Sequence, residues 1–419
     1  MVNDSTGAGL PSPPGTGPGV ASQSSARAEK IKPERLWTSS FIFICLANLA
    51  VLANVHLIMP TLPLYVSHIG GDEKAVGLVI ATFTITAMLM RPIGGMLLDR
   101  FGRKTLLFVG MITSVLITAG YNLASTIFLL LLCRLLHGAS FSVSNTATGT
   151  IATDILPWQR LGQGMGYFGL TSSISMAVAP AGALWLVGQA GFTTLFFLSA
   201  LVVLAGFFMS LAATSGLKTD FLAGPEQGRR RIGWSDFIEI KAVPASVVMA
   251  FLTMVFGAVV SLLVLFATAS GISGVGLFFT ANALAMMVAR LLADRGGDRF
   301  ALVAGMTLLA ASMVIISFSS SIVHLVLAGI AYGSGLGFSI PLFQTLAVRD
   351  ASPHRRGTAM GTFYSAFDLG IGLGAIIWGW TAATIGYRGT FLLNLLPVAL
   401  ASLSYYLFYI RKGRHSSGR

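Results

Sequence analysis

The chain has 419 residues, 54% of them hydrophobic and 10% charged, with 27 Lys and Arg against 15 Asp and Glu. Soluble domains carry about 25% charged residues, so this composition excludes a soluble enzyme, a coiled coil or a disordered protein for the chain as a whole. The apolar supply suits about eleven or twelve membrane crossings of roughly 20 residues each, and the long unbroken runs exclude a membrane barrel.

Residues 1–36 are rich in Gly, Pro, Ser and charge, a composition with too little apolar surface to fold. They are expected to form a disordered cytoplasmic tail rather than a secretory signal, because the first apolar run starts near Trp37 and is too long. Apolar runs follow at 38–65, 73–97, 105–123, 126–149, 163–188 and 192–213. A polar linker over 214–242 carries Gly224-Pro225 and the Arg229-Arg230-Arg231 cluster. Six more runs lie at 243–268, 274–292, 301–319, 322–347, 357–383 and 388–410, before a basic tail over 411–419. The pattern predicts an all-α membrane protein: twelve transmembrane helices in two six-helix bundles, 37–213 and 243–410.

The net charge of +12 is a topology signal. Lys74 and Arg388 are placed on one side of the membrane and Arg134 inside it, while the other 24 Lys and Arg fall on the opposite side. Excess Lys and Arg marks the cytoplasmic face, so both termini are expected there, in a cell membrane. Nucleic acid is not an expected partner. Cys45 and Cys133 sit within apolar runs, at no disulfide or metal-site spacing, and read as packing residues.

The two halves repeat. Arg91-x7-Asp99-Arg100-Phe101 answers to Arg290-x7-Asp298-Arg299-Phe300, at an offset of 199. Asp154-x2-Pro157-x2-Arg160 answers to Asp350-x2-Pro353-x2-Arg356 at 196, and Met165-Gly166-x-Phe168 to Met360-Gly361-x-Phe363. Repeated bundles predict pseudo-symmetry, a binding site between the halves near the midplane, and alternating access by rocking.

These residues resemble a known family. Gly95-Met-Leu-Leu-Asp99-Arg100-Phe-Gly102-Arg103-Lys104 resembles the signature between the second and third spans of the major facilitator superfamily. Arg134-Leu-Leu-His137-Gly138 resembles the Arg-x-x-Gln-Gly motif of its proton-coupled members, with His in place of Gln. The drug and metabolite antiporters carry a Gly-rich signature on span five. Here Gly166 and Pro180 keep their places in it, and Ala179 stands where that signature has glycine. The run from Phe363 to Gly374 is similar to exporters of small metabolites, opine-type metallophore exporters among them. The resemblance covers residues 38–410 and implies a twelve-span transporter, working mostly as a monomer.

Asp368 is the one acidic residue expected deep in a run, about 18 Å along a helix from Arg356. An ionised carboxylate there costs roughly 2.5–3.5 kcal/mol, which marks it as a functional group. Two readings stand: a carboxyl that gains and loses the coupling proton, or a neutral one bonded to Tyr364 a turn away. The equivalent position in the first half is Ser173, so the repeated scaffold does not require the charge. Arg134 is the basic residue expected at mid-depth. It would hold an anionic substrate group, tune a carboxylate, or cap backbone carbonyls. His137 and His56 would relay protons or simply pack. Asp368, Arg134 and His137 form the expected proton-coupling set.

Asn54, His56, Phe141, Asn145, Phe251, Met254, Gln344 and Tyr364 form the expected substrate cavity, with Asn54, Asn145 and Gln344 placed there by resemblance. Each of those three would equally serve as glue between helices, and Phe251 and Met254 as core. Arg91, Asp99, Arg100, Arg103, Lys104, Asp154, Asp298 and Arg299 form the expected gating set. By resemblance, the carboxylate at the end of span two meets span eleven and holds the outward-open state; basic inner loops need Arg and Lys for topology in any case.

The glycines of the spans lack a following Lys-Ser/Thr phosphate cradle, so no ATP site and no cofactor are expected. Paired carboxylates and Ser-His arrangements are missing, which argues against an enzyme. The expected function is secondary active transport of a small organic molecule, drug-like or a metabolite such as a metallophore, by proton-coupled export. The alternatives are proton-coupled uptake and a receptor or scaffold that does not transport. Protons, membrane lipid and the substrate are the expected partners.

Overall fold

The computed structural model describes residues 36–157, 160–215, 238–352 and 355–411. The expected tail 1–36 and linker 214–242 lie almost wholly outside the described residues, as does most of 411–419. Every regular element among the described residues is helical. The first bundle holds α1 (Ser39–Ile58), α2 (Leu62–His68), α3 (Glu73–Phe101), α4 (Arg103–Gly120), α5 (Ile127–Ile155) and α6 (Leu161–Ser215). The second holds α7 (Val243–Ala269), α8 (Gly276–Ser317), α9 (Ile322–Arg349), α10 (Arg356–Leu393) and α11 (Leu395–Tyr405).

Polar side chains cap the starts of α1, α3 and α5. The side chains of Thr38, Asp72 and Thr126 accept from Phe41, Ala75 and Leu129 backbone N–H groups, satisfying donors the first turn leaves open. α6, α8 and α10 each turn back at a glycine of positive φ: Gly191 (76°), Gly297 (72°) and Gly386 (77°). Only glycine takes that backbone cheaply. Each of the three therefore supplies two crossings, with α11 extending the second arm of α10. With α1, α3, α4, α5, α7 and α9 this makes the twelve crossings expected.

Two expectations need correction. The run 38–65 is not one helix. It breaks after Ile58 and restarts at Leu62, because Pro60 has no amide to donate and Pro63 suits a helix start. The repeat offset of 199 is also one turn too long. Gly102 and Gly297 end equivalent helices and stand 195 apart, as do Gly191 and Gly386. Asp99 thus corresponds to Asp294 rather than Asp298, and Arg290 lies one turn nearer the helix end than a strict mate of Arg91.

The two bundles meet along α3 against α10 and α6 against α8. We name the end where α1 begins the basic end and the opposite one the far end. At the far end the buried cluster of the first bundle takes in Val260, Leu265, Ile371 and Ala375 of the second. Glu73 accepts from the Tyr387 hydroxyl at 2.7 Å, and Lys74 lies 4.4 Å over the Trp380 ring. At the basic end the first bundle's cluster contains first-bundle residues alone. The halves are thus closed together at the far end and separate at the basic end. Large apolar side chains such as Leu116 (68% exposed) and Phe128 (75%) cover the outside, as a lipid-facing surface requires.

Candidate functional site

The first polar contact between the halves at mid-depth joins α3 to α10. Arg91 stands eleven residues before Gly102, about 16 Å along the helix. Its Nε donates to Asp368 Oδ2 at 2.8 Å, and the two side chains are 22% and 12% exposed. The Arg91 guanidinium also lies 5.7 Å from the Tyr364 ring, one turn before Asp368. Gln344 of α9 donates from Nε2 to the Tyr364 hydroxyl at 3.0 Å. Across the second seam, Arg290 of α8 donates from Nη1 to Ser173 Oγ of α6 at 3.4 Å. Two guanidiniums, one carboxylate, a phenol, an amide and a hydroxyl thus face one region between the bundles.

Arg91, expected at the gate, is the partner of Asp368. Arg134 and His137 are not. Arg134 is fully buried in the first bundle, where Nε donates to the Val79 carbonyl at 3.2 Å and the guanidinium lies 4.1 Å over the Phe83 ring. Its Nη1 and Nη2 meet no hydrogen-bond partner among the described residues. His137 is bonded on both ring nitrogens: Nε2 with Asn54 Oδ1 at 2.7 Å and Nδ1 with the Tyr121 hydroxyl at 3.0 Å. Asn54 completes the network by donating to Thr118 Oγ1 and Ser199 Oγ. Asn54 is buried in the first bundle, where its bonds run to α4, α5 and α6.

The remaining expected cavity residues divide. Tyr364 and Gln344 belong to the central region. Asn145 donates to Asn48 Oδ1 at 3.4 Å, beside Thr148 and Thr171, on the half-open face of α5. Phe141 stacks near Phe83, with centroids 5.4 Å apart. Phe251 packs against the second bundle's core, and the Met254 carbonyl accepts from Trp378 Nε1 at 2.9 Å. His56 Nδ1 lies 2.8 Å from Ser175 Oγ and lines a cavity of about 30 Å³ toward the far end, with Met176, Phe256, Phe278, Asn282 and Tyr332.

Among the gating residues, Arg103 and Asp154 form an ion pair that ties α4 to α5 within the first bundle. Lys104 lies 5.7 Å from the Phe108 ring, and exposed Arg100 5.3 Å from that of Phe101. Asp298 and Arg299 are exposed beyond the Gly297 bend. The Asp99 side chain lies outside the described residues. Sequence reasoning missed Ser173 and Arg290 as site residues, although the Arg91/Arg290 repeat carried the signal. It also missed a latch at the basic end, where Glu239 pairs with Arg355 and its amide donates to Thr362 Oγ1 at 2.9 Å.

The Major Facilitator Superfamily profile matches residues 44–281 and 274–419. An uncharacterized MFS-type transporter of Methanocaldococcus jannaschii is 22% identical over 385 residues, covering 86% of this chain and 96% of its own. The quinolone resistance protein NorA of Staphylococcus aureus is 27% identical over 207 residues, about half of either chain (47% and 52%). A POT family transporter solved with 5-aminolevulinic acid superposes with a TM-score of 0.75 at 11% identity, over 88% of this chain and 96% of that one. With twelve crossings, two bundles and a polar region between them, the chain belongs to the major facilitator superfamily and is a multi-pass membrane transporter of small molecules.

Proposed function

We propose that this transporter exports a small organic molecule from the cytoplasm in exchange for protons, and that Asp368 is the group that takes and releases the proton. The Arg91–Asp368 bond carries the reading. It spans the two bundles at mid-depth, where a charge is costly unless paired or put to use. A proton arriving at Asp368 removes the charge that holds Arg91, so the α3–α10 seam loosens where the halves must slide. Rocking then exposes the site to the opposite side. The match to a quinolone resistance protein supports export of an organic molecule. The basic end is the cytoplasmic one on charge grounds, which puts both termini inside the cell.

Wild-type and Asp368→Asn protein in proteoliposomes, with an imposed pH gradient and a panel of amphipathic compounds, test this. Proton flux that depends on both a compound and Asp368 is the expected outcome. Full gradient-driven transport by D368N overturns the coupling assignment, and compound movement in the same direction as protons overturns export.

A further inference from the structure

The two seams between the bundles are built alike but charged differently. On one, Arg91 of the first half meets Asp368 of the second at 2.8 Å. On the other, Arg290 of the second half meets Ser173 of the first at 3.4 Å. Ser173 and Asp368 stand 195 residues apart, the offset of the bend glycines, so they occupy equivalent places. The fold thus presents an arginine to both places and supplies a carboxylate to only one.

Arg290 is half-buried, and its Nε is shielded from solvent with no hydrogen-bond partner among the described residues. A guanidinium has five N–H donors and no acceptor. Here a single long bond to a neutral hydroxyl is the one acceptor the described residues give it. Asp368 is bonded to Arg91, and no contact joins it to Arg290 among the described residues. Tyr364, whose ring lies 5.7 Å from the Arg91 guanidinium and whose hydroxyl is bonded to Gln344, brings a phenol to the region and no carboxylate. The region therefore holds an excess positive charge on a fork-shaped donor, and the basic end opens onto it. A carboxylate or phosphate group matches that fork bidentately.

We infer that Arg290 binds an anionic group of the transported molecule, with Ser173 and the Tyr364 hydroxyl as neighbouring hydrogen-bond groups, so that the substrate class is organic anions or zwitterions. The inference rests on the central region being the transport site. Arg134, the sequence-level candidate for this task, is sealed inside a bundle against Phe83 and Val79 and does not reach the region.

The test is equilibrium binding to the purified full-length protein in detergent, at one pH and with no gradient. The probes are matched carboxylate, carboxamide and ammonium forms of phenyl, naphthyl and indolyl compounds. On at least one scaffold the carboxylate should bind about tenfold tighter than the amide or the amine, the size expected for charge-assisted bonds. Arg290→Gln should erase that preference, and R290K should keep most of it. Ser173→Asp gives Arg290 the partner that Arg91 already has, and should erase the preference with Arg290 still in place. No carboxylate preference on any scaffold, or a preference that survives both R290Q and S173D, overturns the inference. Binding needs neither translocation nor coupling, so the two failures separate. Carboxylate preference without gradient-driven flux sinks the proton-coupled export reading and leaves the anion site. Flux of neutral or cationic compounds without that preference does the reverse.

Discussion

Asp368 and Arg91 are each costly at mid-depth alone and tolerable together. Removing one partner should therefore cost more than removing both. Arg91→Gln and D368N are each expected to lower stability by about 2 kcal/mol, less than for a fully buried pair because both side chains keep some exposure. The double variant should recover part of that loss, and thermal unfolding in one detergent reads the difference. If the double variant is as unstable as the sum of the singles, the pair is not coupled. Arg134 makes a different case. Its stacking on Phe83 and its bond to the Val79 carbonyl are interior contacts. Arg134→Ala should destabilise the first bundle by about 2–4 kcal/mol, while the folded fraction keeps its KM. A large KM change at unaltered stability would reassign it to substrate.

Helix packing in the second bundle depends on glycine where backbones touch. A Cβ on Gly333 of α9 would stand 2.0 Å from the Asn282 carbonyl oxygen of α8, a backbone atom that cannot swing away. Gly361 on α10 has nothing within 4 Å of its would-be Cβ. Gly333→Ala should cost about 1–3 kcal/mol, whereas Gly361→Ala should be neutral or slightly stabilising, as Ala for Gly is in a helix. Equal melting temperatures for the two variants would show that α8 and α9 do not approach so closely. The Glu239 latch ties the start of α7 to the start of α10. The hydrogen bond from Arg355 holds the Glu239 carboxyl below the usual glutamate range. Its contribution is present above that range and is lost as pH falls through the lowered value. The melting-temperature gap between wild type and Glu239→Gln should accordingly be open at neutral pH and close on acidification. A gap that persists or widens in acid would contradict the sign.

At the scale of the whole molecule, the contacts describe a transporter closed at the far end and open at the basic end. The far-end cluster mixes residues of both halves, and the basic-end cluster does not. In a background with Cys45 and Cys133 replaced by Ser, a cysteine at Gly361 should react quickly with a membrane-impermeant thiol reagent applied from the basic end. A cysteine at Met59, beside the small far-end cavity, should be protected from the far side. Substrate or a pH gradient that drives the other state should reverse the two rates. Rates that never change would leave the protein without alternating access.

The sequence alone determined the crossings, the charge asymmetry and the family, because each is a property of local composition. A run of about 20 apolar residues crosses a bilayer whatever its neighbours are, and the Gly95–Lys104 signature is contiguous. The depth of Asp368 was legible for the same reason. Its partner was not. Arg91 lies 277 residues away, and Arg134, which fits as well by composition, faces into its own bundle. Period and length identify a helix but not the direction it faces once packed, and one turn of register moved the repeat from 199 to 195. Only the tertiary structure decided which guanidinium met the carboxylate and which was left without one, because that choice is made by how two bundles abut.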